Sequence, residues 1–230
     1  IAARAARSRM NRDERWAMLR RFGPGLAAIV FMYLLVTVIR SVRADFAAEI
    51  WQGLGQTAAP QQFTTSEIWV ALGVLAVNGS LVFVRNNLAA FRISLATCLV
   101  GFVLIFVALL GKSAGLSAFS FMVLIGLGLY LPYVAVHASV FERLLAMTRE
   151  KGNVGFLMYV ADSSGYLGYV GCMLLNGTLR KNQNTLELFT DLCWVAGSVS
   201  CVCVLLALVW FAGHRLKPAE MTDLPQATES

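Results

Sequence analysis

Six long apolar runs, separated by short polar connections, organise this 230-residue chain. They fall at about 24–44, 67–84, 91–111, 117–141, 154–175 and 191–213. Each approaches the roughly 20 residues that a helix needs to cross a hydrocarbon core about 30 Å thick. Period-two alternation, the mark of a membrane barrel, is absent, and a spanning segment must satisfy its own backbone. The pattern therefore predicts an all-α membrane protein with six transmembrane helices, a bundle over residues 23–214. Residues 1–22 form a basic linker before it, with Trp16, Leu19 and Phe22 on the apolar side of a surface-lying amphipathic helix. Residues 215–230 form a polar tail.

Local signals refine the ends. The FGPG at residues 22–25 is expected to break the chain just before the first span. Thr64 and Glu67, in FTTSE, have capping-box spacing at the start of the second. Gly152 and Asn153 supply turn residues before the fifth.

Composition agrees with the pattern: 58% of residues are apolar and 14% charged, against about 45–50% and 25% in soluble domains. The net charge of +6 does not indicate nucleic acid, because the basic residues cluster at the ends of apolar runs rather than on one face of a domain. Fourteen of the nineteen Lys and Arg flank one side of the predicted bundle, which places both termini in the cytoplasm by the positive-inside rule. The Ala- and Arg-rich opening has transit-peptide composition, but Asp13, Glu14 and the direct run into a span argue against that. Cys98, Cys172, Cys193, Cys201 and Cys203 all lie in apolar runs without C-x-x-C spacing and read as small buried hydrophobes. The chain opens with Ile1 rather than Met, and a longer product is expected.

Polar groups inside the spans carry the chemistry. A charge at mid-membrane costs about 3 kcal/mol on insertion scales, so each such group should face protein or water. Tyr159, Asp162, Tyr166 and Tyr169 follow at spacings of three, four and three in the fifth span, one face of a helix. Tyr130, Tyr133 and His137 repeat the device in the fourth, where Pro132 predicts a bend against the turn of Gly128. Asn78 sits in the second span, and Arg40 and Arg43 near the far end of the first. The third and sixth spans are charged only at their edges.

Each group has a structural reading beside the functional one. Arg40 and Arg43 either snorkel to the surface or bind and gate an anion. The tyrosines either pack or line a cavity. His137 either bonds a carbonyl or titrates, and Asn78 either glues helices or faces solute. Asp162 is a structural carboxylate or a titrating cavity group. Tyr133 and Asp162 fall at similar depth on neighbouring antiparallel helices, which predicts an Asp–Tyr pair. Gly165, Gly168 and Gly171 predict close helix approach. Polar, polar, plain, then the same again from the opposite side, describes two inverted three-helix repeats.

Six spans, a basic linker, this polar rhythm and the short RNNLAAFR connection resemble the C-terminal half of a major facilitator superfamily transporter. RNNLAAFR occupies that family's loop-motif position without its glycine and aspartate. More narrowly, RSVRADFAAEIW, FTTSEIW and EKGNVGFLMYVADSSGYLGYVG look like an uncharacterised bacterial branch of unknown function. The resemblance implies a cavity lined by the first, second, fourth and fifth helices, with the third and sixth outside. It also implies a bacterial inner membrane and a second six-helix half, or a second copy, as partner.

The expected function is half of a secondary transporter for an unidentified small solute, with Asp162 coupling proton movement. Arg40 or Arg43 would hold an anionic group, and Tyr133, His137 and Tyr166 would hydrogen-bond in the cavity. A non-transporting sensor or scaffold on the same fold is the alternative. An enzyme is not expected: His137 and His214 are the two histidines, too few within the spans for bis-histidine haem ligation and wrongly ordered for an intramembrane serine protease. No cofactor or metal is expected.

Overall fold

The computed structural model describes residues 12–57, 59–148, 154–179 and 184–213, and these are helical with short connections. Helix α1 (Arg12–Asp45) is a single rod about 50 Å long at 1.5 Å per residue. The FGPG does not break it: Pro24 lies inside the helix. A proline removes one helical hydrogen bond, and here the flanking Gly25 lets α8 (Thr185–Gly213) come close. A Cβ on Gly25 would stand 2.6 Å from the Trp210 ring and 2.7 Å from Phe211. The expected surface helix is therefore the first part of α1, with Trp16 exposed and Phe22 buried.

After α1 the chain turns through α2 (Ala47–Gly53), whose Trp51 is fully buried with its ring edge-on to Phe63 at 5.8 Å. Helix α3 (Pro60–Ser80) begins seven residues earlier than the span expected at 67. Thr64 and Glu67 form no capping box. Proline at the first helical position sets the start instead, Thr64 Oγ1 donates to the Pro60 carbonyl, and Glu67 turns to Arg43. A short 3₁₀ turn, Leu81–Phe83, ends it.

Helix α4 (Asn87–Ser113) is capped by the Asn86 side chain, which accepts from the N–H groups of Leu88 and Ala89. Helix α5 (Ala118–Ala135) starts at a Ser117 cap and contains Pro132. Gly101 of α4 makes room for that proline: a Cβ there would meet both the Gly128 carbonyl and Pro132 Cδ at 2.7 Å. A π turn, Val136–Val140, joins α5 to α6 (Phe141–Thr148), and Ser94 of α4 donates to Ser139 within it at 2.8 Å. Helix α7 (Val154–Leu179) and α8 complete the order.

Among the described residues, five segments are long and apolar enough to cross a membrane: Phe22–Asp45, Pro60–Phe83, Asn87–Ser113, Ala118–Ala146 and Thr185–Gly213. Six were expected. Helix α7 has the length, but Asp162, Ser163, Ser164 and three tyrosines dilute its apolar content. Helices α1 and α5 meet along the centre of the bundle; α1 packs on α7 and α8, α5 on α3 and α4, and α4 touches α8. One continuous core includes Ile29, Met32 and Tyr33 of α1, Phe91 and Phe102 of α4, and Phe189 of α8. The outward faces of α3, α4, α7 and α8 carry exposed Trp69, Leu75, Val103, Leu110, Leu167, Leu174, Val202 and Val209. Such a surface suits lipid contact rather than water.

Arg4, Arg7 and Arg9, residues 149–153 with the expected Gly152 and Asn153 turn, Arg180 and Lys181, His214 and residues 215–230 lie outside the described residues, as does the Leu19 side chain.

Candidate functional site

Three side chains from three helices meet halfway along the bundle. Tyr33 is completely buried in α1, and its hydroxyl donates to Asp162 Oδ1 at 2.6 Å. His137, in the π turn, places Nε2 3.4 Å from the same carboxylate oxygen and 3.4 Å from the Tyr33 hydroxyl. Asp162 keeps about a third of its side chain accessible. It points to neither a loop nor the exposed apolar face of α7.

Helix packing explains why the groups meet. Gly165 and Gly168 let α7 approach α1: Cβ atoms there would stand 2.8 Å from Thr37 and 2.9 Å from Leu34. Gly171 has open space around it, so the expected three-glycine contact is made by two. The Asp162 partner is Tyr33 rather than the expected Tyr133, because the close α1–α7 approach brings α1 to the carboxylate first. Tyr133 instead stacks in a ring cluster, 5.3 Å from Tyr33 and 4.9 Å from His137, with Tyr130 edge-on at 6.4 Å. The Arg40 guanidinium carbon lies 4.5 Å from the Tyr133 ring centroid, cation–π geometry.

The proton inventory follows from these contacts. Tyr33 has one hydroxyl proton and gives it to Asp162; His137 Nε2 faces both oxygens and donates to one of them in the tautomer that protonates it. His137 Nδ1 is buried with no hydrogen-bond partner among the described residues.

Arg43 belongs to a separate feature. Its side chain is 3% exposed, yet it pairs with Glu67 at 2.6 Å and donates to the Met122 carbonyl at 3.1 Å. That tie joins α1, α3 and α5 near the Asp45 end. At the same end, Tyr169 of α7 donates to Asp45.

The remaining candidates disperse. Tyr159 and Tyr166 point outward, 77% and 54% exposed, because the α7 face they share with Asp162 is wider than its contact with α1. Asn78 and Tyr130 line an open groove of about 640 Å³ between α3 and α5, with Val70, Val74 and Val134. The five cysteines are free thiols, three of them buried. No metal-ligating cluster occurs among the described residues.

Tyr33, Glu67 and Asp45 were not among the sequence candidates. A signal for Tyr33 existed: Tyr33, Val36, Arg40 and Arg43 repeat the three-four-three spacing of α7.

No curated protein and no solved structure matches the chain. Residues 1–214 match the family described as a family of unknown function (DUF5690), and the chain belongs to that family.

Proposed function

We propose that the chain is a six-span half of a secondary transporter with major facilitator architecture, in which Asp162 takes up and releases the coupling proton. The observation that carries this reading is the Asp162 environment: a partly accessible carboxylate on a helix at mid-bundle, hydrogen-bonded to Tyr33 and beside His137. Ionisable groups at membrane depth are retained for pathways and relays. Protonating Asp162 turns it from acceptor to donor toward Tyr33, and in the tautomer that leaves Nε2 without a proton the tyrosine hydroxyl then reorients toward His137. Arg40 and Tyr133 complete the charged and titratable groups around that cluster.

Packing supports the repeat. Counting α7 as the fifth span, an exchange of the first three spans with the last three preserves the neighbour pattern. Helix α1 packs on α7 and α8 as α5 packs on α3 and α4, and α2 lies on α8 as α6 lies on α4. In this arrangement α4 and α8 are the outer supports, both termini face the cytoplasm, and a second bundle covers Tyr159 and Tyr166.

The test is uptake by the full-length protein in proteoliposomes across a solute panel, with lumenal pH recorded by a trapped dye. Asp162→Asn should abolish proton-linked uptake. If the variant transports with an unchanged pH profile, Asp162 is not the coupling group; if neither protein moves any solute, the sensor or scaffold reading gains.

A further inference from the structure

The two arginines of α1 differ in one respect. Arg43 is neutralised by Glu67. Arg40, three residues earlier on the same face, has no carboxylate within ion-pair distance among the described residues. Its contact is the Tyr133 ring, and its Nε is buried without a hydrogen-bond acceptor among those residues. One turn earlier Thr37, 1% exposed, likewise has a hydroxyl without a partner. A half-buried guanidinium inside a span needs an anion or water to offset its desolvation.

We propose that Arg40 anchors a small organic carboxylate with an apolar body, and that this is the solute class of the transporter reading, on which the proposal rests. A planar guanidinium binds a carboxylate through two parallel hydrogen bonds. The Tyr133 ring lies against the guanidinium, its centroid 4.5 Å from the Arg40 guanidinium carbon. Tyr130 links this point to the α3–α5 groove: it packs edge-on against Tyr133 and lines the groove beside Val74 and Val134. The groove has the volume of a small-molecule site. Its lining is apolar except for Glu67, Tyr130 and Asn78, and the Asn78 Oδ1 is buried without a partner among the described residues. An inorganic anion would leave that apolar surface unfilled. An organic carboxylate matches both ends, its head on Arg40 and its body past Tyr130. The ring cluster that fixes Arg40 also contains His137, so the bound anion sits one aromatic ring away from the proton-carrying groups.

The experiment is equilibrium binding, read as the unfolding temperature of the full-length protein in nanodiscs. The probes are short-chain, medium-chain and aryl monocarboxylates, each paired with its neutral amide, and inorganic phosphate. At least one carboxylate should raise the unfolding temperature saturably while its amide does not. Arg40→Gln should weaken that binding by about tenfold or more, whereas Arg40→Lys, which keeps the charge, should retain a saturable response. Equal responses to acid and amide, an equal response to phosphate, or no response to any carboxylate overturns the proposal; these comparisons need only the wild-type protein. Carboxylate binding that persists in a protein moving no solute would strike the transporter reading and leave the anion site standing. Proton-linked uptake of a neutral solute without carboxylate binding would do the reverse.

Discussion

Tyr33 and Asp162, 129 residues apart in sequence, share a 2.6 Å hydrogen bond across the α1–α7 contact. The bond fixes how deep the acid sits and which helix it answers to. A hydroxyl donating to a carboxylate is worth about 1.5–3 kcal/mol when the acceptor is ionised. Tyr33→Phe keeps the buried ring and removes only the donor. We expect a loss of roughly that size in unfolding free energy, measured by detergent-denaturant titration, together with a displaced pH profile of uptake. Tyr133→Phe, whose hydroxyl makes no hydrogen bond to Asp162, should displace the profile less than Tyr33→Phe does.

The Arg43–Glu67 pair predicts an asymmetry. Arg43 is almost wholly buried, while Glu67 is 47% exposed. Removing Glu67 strands a guanidinium that retains the Met122 carbonyl as its remaining acceptor among the described residues. Glu67→Gln should cost about 1–3 kcal/mol, less than a fully buried broken pair because water reaches that side. Replacing both partners, Arg43→Met with Glu67→Leu, should recover most of the loss. A double variant as unstable as the single one would show that the pair holds α1, α3 and α5 together by more than charge.

Glycine contacts predict a contrast within one helix. Gly165→Ala places a methyl 2.8 Å from Thr37, a buried β-branched side chain with little room to turn. We expect about 1–3 kcal/mol of destabilisation from overpacking and a weakened Tyr33–Asp162 contact, visible as altered uptake pH dependence. Gly171→Ala meets nothing within 4 Å and should change stability by less than about 0.5 kcal/mol.

Much of the bundle was legible in the sequence because hydrophobic run length is a direct consequence of bilayer thickness. The boundaries were less so. Pro60 outranked the Thr64–Glu67 pattern as a start signal, since a proline costs nothing at a first helical position. Pro24 failed as a stop signal because a long apolar helix packed on α8 absorbs one missing hydrogen bond. Asp162 stood out as an acid in an apolar run, but its partner did not. A lone tyrosine such as Tyr33 looks the same whether it packs or donates, and no single chain records which helix face meets which. Glu67 was hidden for the same reason: near the end of a span a glutamate reads as a cap until an arginine 24 residues upstream is seen to reach it.

Five residues in the π turn occupy nearly the same rise that four occupy in an α-helix. Upstream of it the inward stripe runs through Ile125, Leu129, Pro132 and Val136; beyond it the stripe resumes at Phe141, Leu144 and Leu145. Excising one position, such as exposed Ala138, would turn these five residues into the four of an ordinary α-helical turn, with nearly the same rise and rotation. Phe141 and Leu144 would stay inward, and Arg143 would keep its reach to Asn87 of α4. The same excision within α5 itself would swing everything downstream by about 100°, so the π turn is the place in this rod where a single-residue gap is absorbed rather than passed on as a twist.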